Sequence, residues 1–272
     1  MNSTSLRTIT KEELITKFKD IEALKWIKNK RGNNDGAVGN TLEDLLGIPE
    51  NNLPIPNAVE WELKAQRANT SSLVTLFHKE PSPTAVKLVP TLLLPKYGWR
   101  HQKAGTLYSE TEKSFRQTLN GNSYTDRGFK VVVNETEQKI AIDFNPDYVD
   151  ISKHKDWFEG VKSKVEDIHH IEVQPYWGFQ DLFAKAGTKL INCFYVKADT
   201  KKENGIEFFH YNNVMMLKEF QLPKFIEAIR LGKIYIDFDA RTQHNHGTKF
   251  RIHFDDIPYL YNDAIEIINV PN

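Results

Sequence analysis

The hydrophobic period changes repeatedly along this chain, and no other feature of the sequence restricts the fold as strongly. Apolar residues recur at helical spacing over residues 10–30 and 178–190. Elsewhere, apolar and polar residues alternate as they do in strands. The strands predicted in the second half are 129–133, 139–144, 191–196, 208–217, 234–238 and 250–254, with a helix at 223–231. The sequence therefore predicts an α/β fold of mixed α+β type.

Local signals define the first elements. Thr10 is a candidate N-cap for a helix that extends to residue 30, and a glycine-bearing loop follows at 31–39. A short helix is predicted at 41–46, stopped by Gly47 and Pro49. The loop is not a phosphate-binding P-loop, because no Gly-Lys-Ser/Thr closes it. The one cysteine, Cys193, lies in an apolar run and excludes a disulfide, so we expect a buried strand residue.

Charge and hydropathy narrow the class of protein. Equal numbers of basic and acidic residues, 36 each, argue against a surface that binds phosphate everywhere. The basic residues are uneven, however, with seven against three acidic residues over 95–130 and a second basic cluster over 25–31. They are either solvated surface or two walls of a nucleic-acid cleft. No apolar run approaches the roughly 18 residues that span a bilayer, and no secretion signal is evident, so we expect a cytoplasmic protein with no membrane partner.

One predicted strand carries charged residues suited to hydrolysis. In residues 59–64 the side chains of Glu60, Glu62 and Lys64 alternate with apolar ones and share a face. A carboxylate there can bind Mg2+, while a lysine two positions on contacts a scissile phosphate or the attacking water. Such a triplet is also common on the wet face of a strand. Asn57, which follows Pro56, lies five positions before Glu62. Nucleases that use a carboxylate and a lysine on one strand in this way generally have an aspartate at such an upstream position, after a proline.

Several spaced motifs, taken in order, resemble the MvaI/BcnI family of restriction endonucleases, which are relatives of the mismatch-repair nicking enzyme MutH. The resemblance covers most of the chain from about residue 30 onward. The motifs are residues 39–46, Pro56-Asn57, 62–64, 72–81, 122–124, 176–179 and 244–252.

The resemblance implies a PD-(D/E)XK core with a catalytic lobe, mainly residues 1–125, and a DNA-recognition lobe, mainly 126–272, tightly coupled around a cleft. It implies a monomer that cuts one strand at a time at short, GC-rich, pseudopalindromic sites such as CCNGG. It also implies that Glu62 and Lys64 are catalytic, with Glu43 as a further carboxylate on the metal side. The alternative interpretation is that Glu43 is a solvated helix residue with no part in catalysis.

Asn57 departs from the family pattern, which has aspartate at this position. We expect Asn57 and Glu62 to be the metal ligands. An amide oxygen can bind Mg2+ but carries no charge, so metal affinity and turnover should fall steeply. Either the chain was altered to trap uncleaved DNA, or it is a naturally weakened nuclease.

By the same resemblance, a later segment reads bases in the major groove. The candidate DNA-binding residues are His78, Asp237, Asp239, Arg241, His244, His246 and Arg251. Other interpretations stay open. The two histidines are alternatively a zinc site or plain surface residues, and Asp239 alternatively pairs with Arg241. His78 either faces the minor groove or only ends a strand. Trp177 and Phe179 are expected to be core residues and not to stack on bases.

The sequence therefore predicts a Mg2+-dependent type II restriction endonuclease, or the nuclease domain of one, acting on double-stranded DNA in a bacterial or archaeal cytoplasm. A second DNA-binding domain is a conceivable fusion or working partner. Two other functions stay open: a MutH-like nicking repair enzyme, and a module that reads DNA sequence without cutting it. Asn57 favours the second of these.

Overall fold

The structure is a computed structural model that describes residues 9–32, 34–48 and 61–271. Its α-helices are α1 Lys11–Ala23, α2 Ala37–Leu46, α3 Ile151–Lys162, α4 Phe179–Lys189 and α5 Leu222–Arg230. Shorter helical segments are a π-helix, Val89–Tyr97, and 3-10 helices at Thr84–Val86 and Phe254–Leu260. The strands are β1 Ile27–Lys28, β2 Glu62–Arg67, β3 Val74–His78, β4 Trp99–Arg100, β5 Lys113–Leu119, β6 Arg127–Asn134, β7 Lys139–Val149, β8 Tyr176–Gly178, β9 Asn192–Glu203, β10 Ile206–Phe220, β11 Ile234–Arg241, β12 His244–Asn245, β13 Lys249–Ile252 and β14 Tyr261–Asn269.

Two compact units divide the chain, and each is built from separate stretches of sequence. The first comprises Met1–Val74, Ala186–Gln221 and Phe254–Asn272, and the second comprises Thr75–Lys185 and Leu222–His253. Residues 125 and 126 both lie within the second unit. The assignment of one lobe to catalysis and the other to recognition stays a prediction.

The first unit is a sheet covered by helices. Its strands follow the order β1-β10-β9-β2, with β14 also paired to β10. Only β2 and β9 pair in parallel among these strands; β10 runs antiparallel to β1, β9 and β14. Helices α1 and α2 supply one side of the hydrophobic core, through residues such as Leu14, Phe18 and Leu42. They pack on the sheet face that carries Leu63 and Phe194, so the other face of β2 and β9 is left for polar groups.

The second unit contains a six-stranded sheet, in the order β3-β13-β11-β5-β4 with β12 paired to β11, and a three-stranded sheet, β6-β7-β8. In β11 the burial alternates residue by residue, with Ile236 and Phe238 fully buried and Asp237 and Asp239 partly exposed. Helix α5 covers the apolar face, where the ring of Phe225 lies 6.1 Å from that of Phe250. The opposite face of the six-stranded sheet is therefore polar.

The mixed α/β class is confirmed, but two helix boundaries differ from the prediction. Thr10 caps α1 as predicted: its Oγ1 accepts from the Glu13 backbone N–H at 3.2 Å, and Glu13 accepts from the Thr10 N–H. The helix ends at Ala23 rather than residue 30, because Lys25 takes a left-handed conformation (φ 60°) and Ile27–Lys28 then pairs with β10. No described helix is long and apolar enough to cross a bilayer.

Helix α2 begins at Ala37, four residues earlier than predicted, because tertiary contacts hold the preceding loop. The guanidinium of Arg67, at the end of β2, donates to the backbone carbonyls of Asn34 and Asp35. The same guanidinium forms two hydrogen bonds to the carboxylate of Glu207, at 2.8 and 2.9 Å. Bidentate contacts of this kind are strong and directional. The loop before α2 is therefore fixed by residues that lie far away in the sequence.

This ion pair predicts how stability depends on pH. The hydrogen bond from Arg67 lowers the pKa of Glu207 below its ordinary value of 4.5. A depressed folded-state pKa adds stability above the unfolded-state value, and that stability is lost as the pH falls through the folded-state pKa. We expect Glu207→Gln to lower the free energy of unfolding by about 2 kcal/mol at neutral pH. The loss should shrink below the ordinary pKa of the carboxyl group.

Chemical denaturation at neutral and acidic pH measures this difference. Glu203→Gln is the control, since Glu203 is 56% exposed and its replacement should change stability by less than about 0.5 kcal/mol. A Glu207→Gln variant with the same stability loss at both pH values would contradict the assignment.

Candidate functional site

Glu62 and Lys64 lie on the face of the first sheet opposite to helices α1 and α2. Leu63, between them, contributes to the core under α1 and α2, so the strand alternation turns both charged side chains the other way. In the parallel register, Glu62 is opposite Cys193 and Lys64 is opposite Tyr195. Paired residues share a face, and these four side chains therefore form one polar patch on the sheet.

The carboxylate of Glu62 is buried between two lysines. Its side chain is only 5% exposed, and Oε1 accepts a hydrogen bond from Lys64 Nζ at 2.7 Å. Lys189 Nζ lies 3.7 Å from Oε2, too far for a good hydrogen bond. Oε2 is buried and has no hydrogen-bond partner among the described residues. A buried carboxylate oxygen left in this state is costly, and a cation bound there would remove the cost.

The other side chains of this patch are neutral. Tyr261 donates its hydroxyl hydrogen to Cys193 Sγ at 3.2 Å. Burial raises the pKa of Cys193 to about 12 and raises the pKa values of Tyr195 and Tyr261 well above their usual range. The thiol is therefore protonated at neutral pH, which excludes it as a nucleophile. A floor of neutral groups strengthens the electrostatic interactions of Glu62 with nearby cations.

Of the other two predicted catalytic residues, Glu43 and Asn57, the structure describes only Glu43. Glu43 lies on α2, half-buried, while Asn57 lies outside the described residues. Within the described part of the chain, no three His, Cys, Asp or Glu side chains are grouped so as to hold a metal ion. Of the two predicted metal ligands, Glu62 lies within the described residues, and its buried oxygen without a hydrogen-bond partner there fits a hard divalent cation.

The predicted base-reading residues gather on the polar face of the second unit's sheet. Asp237, Asp239 and Arg241 are alternate residues of β11, and their side chains share that face. In the antiparallel register, Asp239 is opposite Arg116 of β5, and Asp237 is opposite Lys249 of β13. The face therefore combines carboxylates and cations from three strands.

Close ion pairs order this face. Arg116 contacts Asp239 Oδ1 through Nε at 2.7 Å and through Nη2 at 2.6 Å, and Lys249 Nζ lies 3.8 Å from Oδ2. Asp237 accepts from Arg251 Nη1 at 3.2 Å and from Thr118 Oγ1 at 2.9 Å. The pairs fix the positions of both carboxylates before any ligand binds.

Arg241 does not pair with Asp239, so that alternative is wrong. Its Nη1 donates to Glu112 Oε1 at 3.1 Å, and its guanidinium lies 4.6 Å from the centre of the Tyr108 ring. Both partners lie in the chain just before β5, whereas Asp239 is held by Arg116 and Lys249. Arg241 and Asp239 are two residues apart on β11, yet their side chains contact different partners.

The predicted histidines are exposed at the edges of this sheet. The rings of His244 and His246 lie 4.2 Å apart, edge to face, and the His246 backbone N–H donates to the Asp239 carbonyl at 3.0 Å. His78 ends β3 and is also exposed. Trp177 and Phe179 are buried, as predicted, and the Trp177 indole donates to the Lys79 carbonyl at 3.0 Å.

A cavity of about 360 Å³ opens beside these residues. Its walls combine the polar face with the loop that follows β4. The lining residues include His101, Lys103, Tyr108, Arg116, Asp239, Arg241 and His246.

Sequence reasoning missed three contributors. Arg116 falls in the basic stretch over 95–130, and strand alternation in β5 was the signal that could have singled it out. Lys249 falls within a motif of the family resemblance but was not singled out. Lys189 had no local signal, because only the packing of the end of α4 brings it to Glu62.

The first unit, with helices on one face of a sheet and the Glu62–Lys64 pair on the other, has the fold of the PD-(D/E)XK nucleases. The fold is shared with a solved restriction endonuclease. The MvaI–cognate DNA substrate complex matches with a TM-score of 0.73 and 23% identity, over 94% of this chain and 98% of that one. MvaI in the absence of DNA matches with a TM-score of 0.53 and 22% identity, over 98% and 100%. No protein with a curated function matches.

The model of the MvaI/BcnI restriction endonuclease family matches residues 15–261 of the 272 in the chain. The chain therefore belongs to the MvaI/BcnI restriction endonuclease family. It is a type II restriction endonuclease, a site-specific deoxyribonuclease, and enzymes of this kind generally use a divalent metal ion.

Proposed function

We propose that this chain hydrolyses phosphodiesters of double-stranded DNA with Mg2+, as a monomer, at a short GC-rich pseudopalindromic site of the CCNGG type. The observation that carries the catalytic part is the buried Glu62 carboxylate, with one oxygen bound to Lys64 and the other without a hydrogen-bond partner among the described residues. Double-stranded DNA as the substrate is supported by the structural match to MvaI, which was solved with its cognate DNA.

Glu62 and Asn57 are the proposed metal ligands, with Glu43 as a further carboxylate on the metal side. When bound, a divalent cation neutralises charge that develops on the phosphate and lowers the pKa of a bound water. Glu62 and Asn57 are not equally suited to bind Mg2+. Glu62 supplies a charged oxygen of the kind that Mg2+ prefers, whereas Asn57 supplies at most a neutral amide oxygen.

Lys64 is the proposed electrostatic partner of the scissile phosphate. Its ammonium is held 2.7 Å from Glu62 on a regular strand, so it needs little rearrangement to meet a phosphate at the same position. A preorganised cation in a site that excludes water stabilises the additional negative charge of the pentavalent state. Lys189, near the second oxygen of Glu62, adds to the positive potential that attracts the DNA backbone.

The charge balance at Glu62 explains why Asn57 matters. The ammonium groups of Lys64 and Lys189 lie 2.7 and 3.7 Å from the Glu62 carboxylate, and positive charge so close to a proposed metal ligand opposes the binding of a cation. An aspartate in place of Asn57 would supply a negative charge to the cation, and asparagine does not. We therefore propose that metal binding and turnover are weakened in this chain.

The polar face of the second unit is the proposed base-reading surface. Asp237 and Asp239 can accept from the amino groups of cytosines, while Arg241, Arg251, His244 and His246 can donate to guanine acceptors. His78 is proposed as a further contact to DNA. In this assignment residues 1–125 serve mainly catalysis and 126–272 mainly recognition, and the enzyme acts in the cytoplasm of a bacterium or archaeon.

Two other functions compete with this proposal. A MutH-like repair enzyme would nick one strand of its site, and a DNA-reading module would bind without cutting. Asn57 favours the second of these, because it removes a charge that Mg2+ needs.

Digestion and binding with a complex DNA, such as a phage genome, test the proposed function. With excess protein and Mg2+ we expect slow cleavage of both strands at one recurring sequence, and with Ca2+ we expect binding to that same sequence. Sequencing the fragment ends identifies the site. Persistent nicks in one strand only would support the repair enzyme, and site-specific binding without cleavage at any protein concentration would support the DNA-reading module. Equal binding to all fragments would contradict all three functions.

A further inference from the structure

Arg116 is not among the proposed recognition residues, but it forms an ion pair with Asp239, which is one of them. The side chain of Arg116 is 63% exposed, yet two of its nitrogens contact the same carboxylate oxygen of Asp239. These contacts use Nε and one N–H of Nη2, so the second N–H of Nη2 remains as a donor next to the carboxylate. The second carboxylate oxygen lies 3.8 Å from Lys249, beyond hydrogen-bond distance, and remains an acceptor. The pair therefore offers a donor and an acceptor side by side.

That arrangement matches the major-groove edge of a C·G base pair. Cytosine N4 presents a donor and guanine O6 presents an acceptor, held about 3 Å apart by the base pair's own hydrogen bond. Nη2 of Arg116 lies 2.6 Å from Asp239 Oδ1, close to that spacing, so the guanidinium and the carboxylate can meet the two bases of one pair together. We propose that Arg116 is a specificity-determining residue, and that it reads one C·G pair as a unit with Asp239.

Charge distinguishes this role from a phosphate contact. A lysine or arginine that only neutralises phosphate gains nothing from a nearby carboxylate, because the carboxylate repels the same phosphate. Here, Arg116 is bound to Asp239 and stands opposite it in the strand register. The pair also holds the guanidinium in place before DNA binds, which lowers the entropy cost of forming the base contacts.

A second pair on the same face has the same composition. Arg251 Nη1 lies 3.2 Å from Asp237 Oδ2, and Asp237 precedes Asp239 by two residues on β11. Two residues of a strand span about 6.7 Å, which equals two base-pair steps of about 3.4 Å. Both carboxylates of β11 thus have an arginine partner, and the two pairs are spaced in a way that B-form DNA can match.

The inference rests on the proposed DNA-reading role of this face, and it is tested by binding alone. The chain with Asn57 unchanged is incubated in Ca2+ with duplexes in which each base pair of its site is substituted in turn. We expect Arg116→Ala to reduce discrimination at one C·G pair by roughly 10- to 100-fold and to leave the other positions unchanged. Asp239→Asn should reduce discrimination at that same base pair, and the two effects should not add.

Two further variants separate base reading from charge and from folding. Arg116→Lys keeps the charge but loses the planar fork, so it should lose the discrimination while keeping its affinity for non-specific DNA. Arg230→Ala is the matched control. Arg230 is 45% exposed and paired with carboxylates, but it lies on α5, which covers the opposite face of the sheet. Its replacement should leave every position unchanged.

Three results would overturn the inference. A uniform loss of affinity for all sequences in Arg116→Ala would identify a phosphate contact. Changes at different base pairs for Arg116 and Asp239 would show that the two do not read one pair together. Unchanged discrimination in a correctly folded Arg116→Ala protein would remove Arg116 from the interface. Absence of any sequence preference in the unaltered chain would instead contradict the proposed function itself, and with it this inference.

Discussion

Replacing Asn57 by aspartate is expected to raise Mg2+-dependent cleavage of site-containing DNA by about a thousandfold, or roughly 4 kcal/mol in the activation free energy. The physical reason is charge. In the proposed site, the substitution adds a second carboxylate near that of Glu62, which is flanked by Lys64 and Lys189. Oxygen ligands that carry charge bind Mg2+ far better than neutral amides do. The measurement is the initial rate of cleavage of a duplex containing the site identified by digestion.

Metal affinity is the second measurement for this variant. Calorimetric titration with Mg2+ or Mn2+, without DNA, should show tighter binding in Asn57→Asp than in the unaltered chain. Asn52→Asp is the control, because it adds the same charge five positions earlier in the sequence. Equal activation by both substitutions would mean that charge at Asn57 has no special effect. Inactivity of a folded Asn57→Asp protein that still binds its site would favour a module that reads DNA without cutting it.

Replacing Lys64 by alanine in the Asn57→Asp protein is expected to lower the cleavage rate by about a thousandfold. The ammonium of Lys64 lies 2.7 Å from the Glu62 carboxylate and is the proposed contact to the scissile phosphate. Its loss removes a preorganised positive charge from the pentavalent state. It also removes a cation that competes with the metal, so Mg2+ binding should be unchanged or tighter. A fall in rate without a fall in metal affinity therefore separates this role from a role in metal binding.

Lys197→Ala is the matched control for Lys64→Ala. Lys197 lies on the neighbouring strand β9, two positions after Tyr195 on the same face, and is 27% exposed compared with 20% for Lys64. It pairs with Asp255 at 2.6 Å, and the proposal gives it no part in hydrolysis. Its replacement should change the rate by less than about threefold. A similar loss in both variants would mean that the general positive potential of the sheet is what matters.

Much of the fold was predictable because strands and helices leave periodic traces in the sequence. The predicted strands at 129–133 and 139–144 correspond to β6 and β7, and the predicted helix at 178–190 corresponds to α4. The predicted end of the first helix was wrong, since nothing local marks the left-handed Lys25 or the pairing of β1. Helix α2 began earlier than predicted for a similar reason, because Arg67 fixes the preceding loop from the end of β2.

In the candidate sites, the face on which a residue lies was predictable, but its contacts were not. Alternation placed Glu62 and Lys64 on one face, and the structure brings their charged groups into contact. Alternation also placed Asp237 and Asp239 together on β11. Their partners were not predictable, because Arg116 lies 123 residues before Asp239 and Glu112 lies 129 residues before Arg241. Which cation meets which carboxylate depends on strand register, and register between distant strands is set by the packing of the whole unit.

By itself, the sequence determined what each strand turns toward solvent and what it turns toward the core, because side chains alternate along a strand whatever its neighbours are. It also determined the family, through motifs spread over most of the chain. Only the tertiary structure decided that Lys189 reaches the second oxygen of Glu62 and that Arg116 holds Asp239. These contacts join segments far apart in the sequence, and no local pattern records the distance between two segments that meet only when the chain has folded.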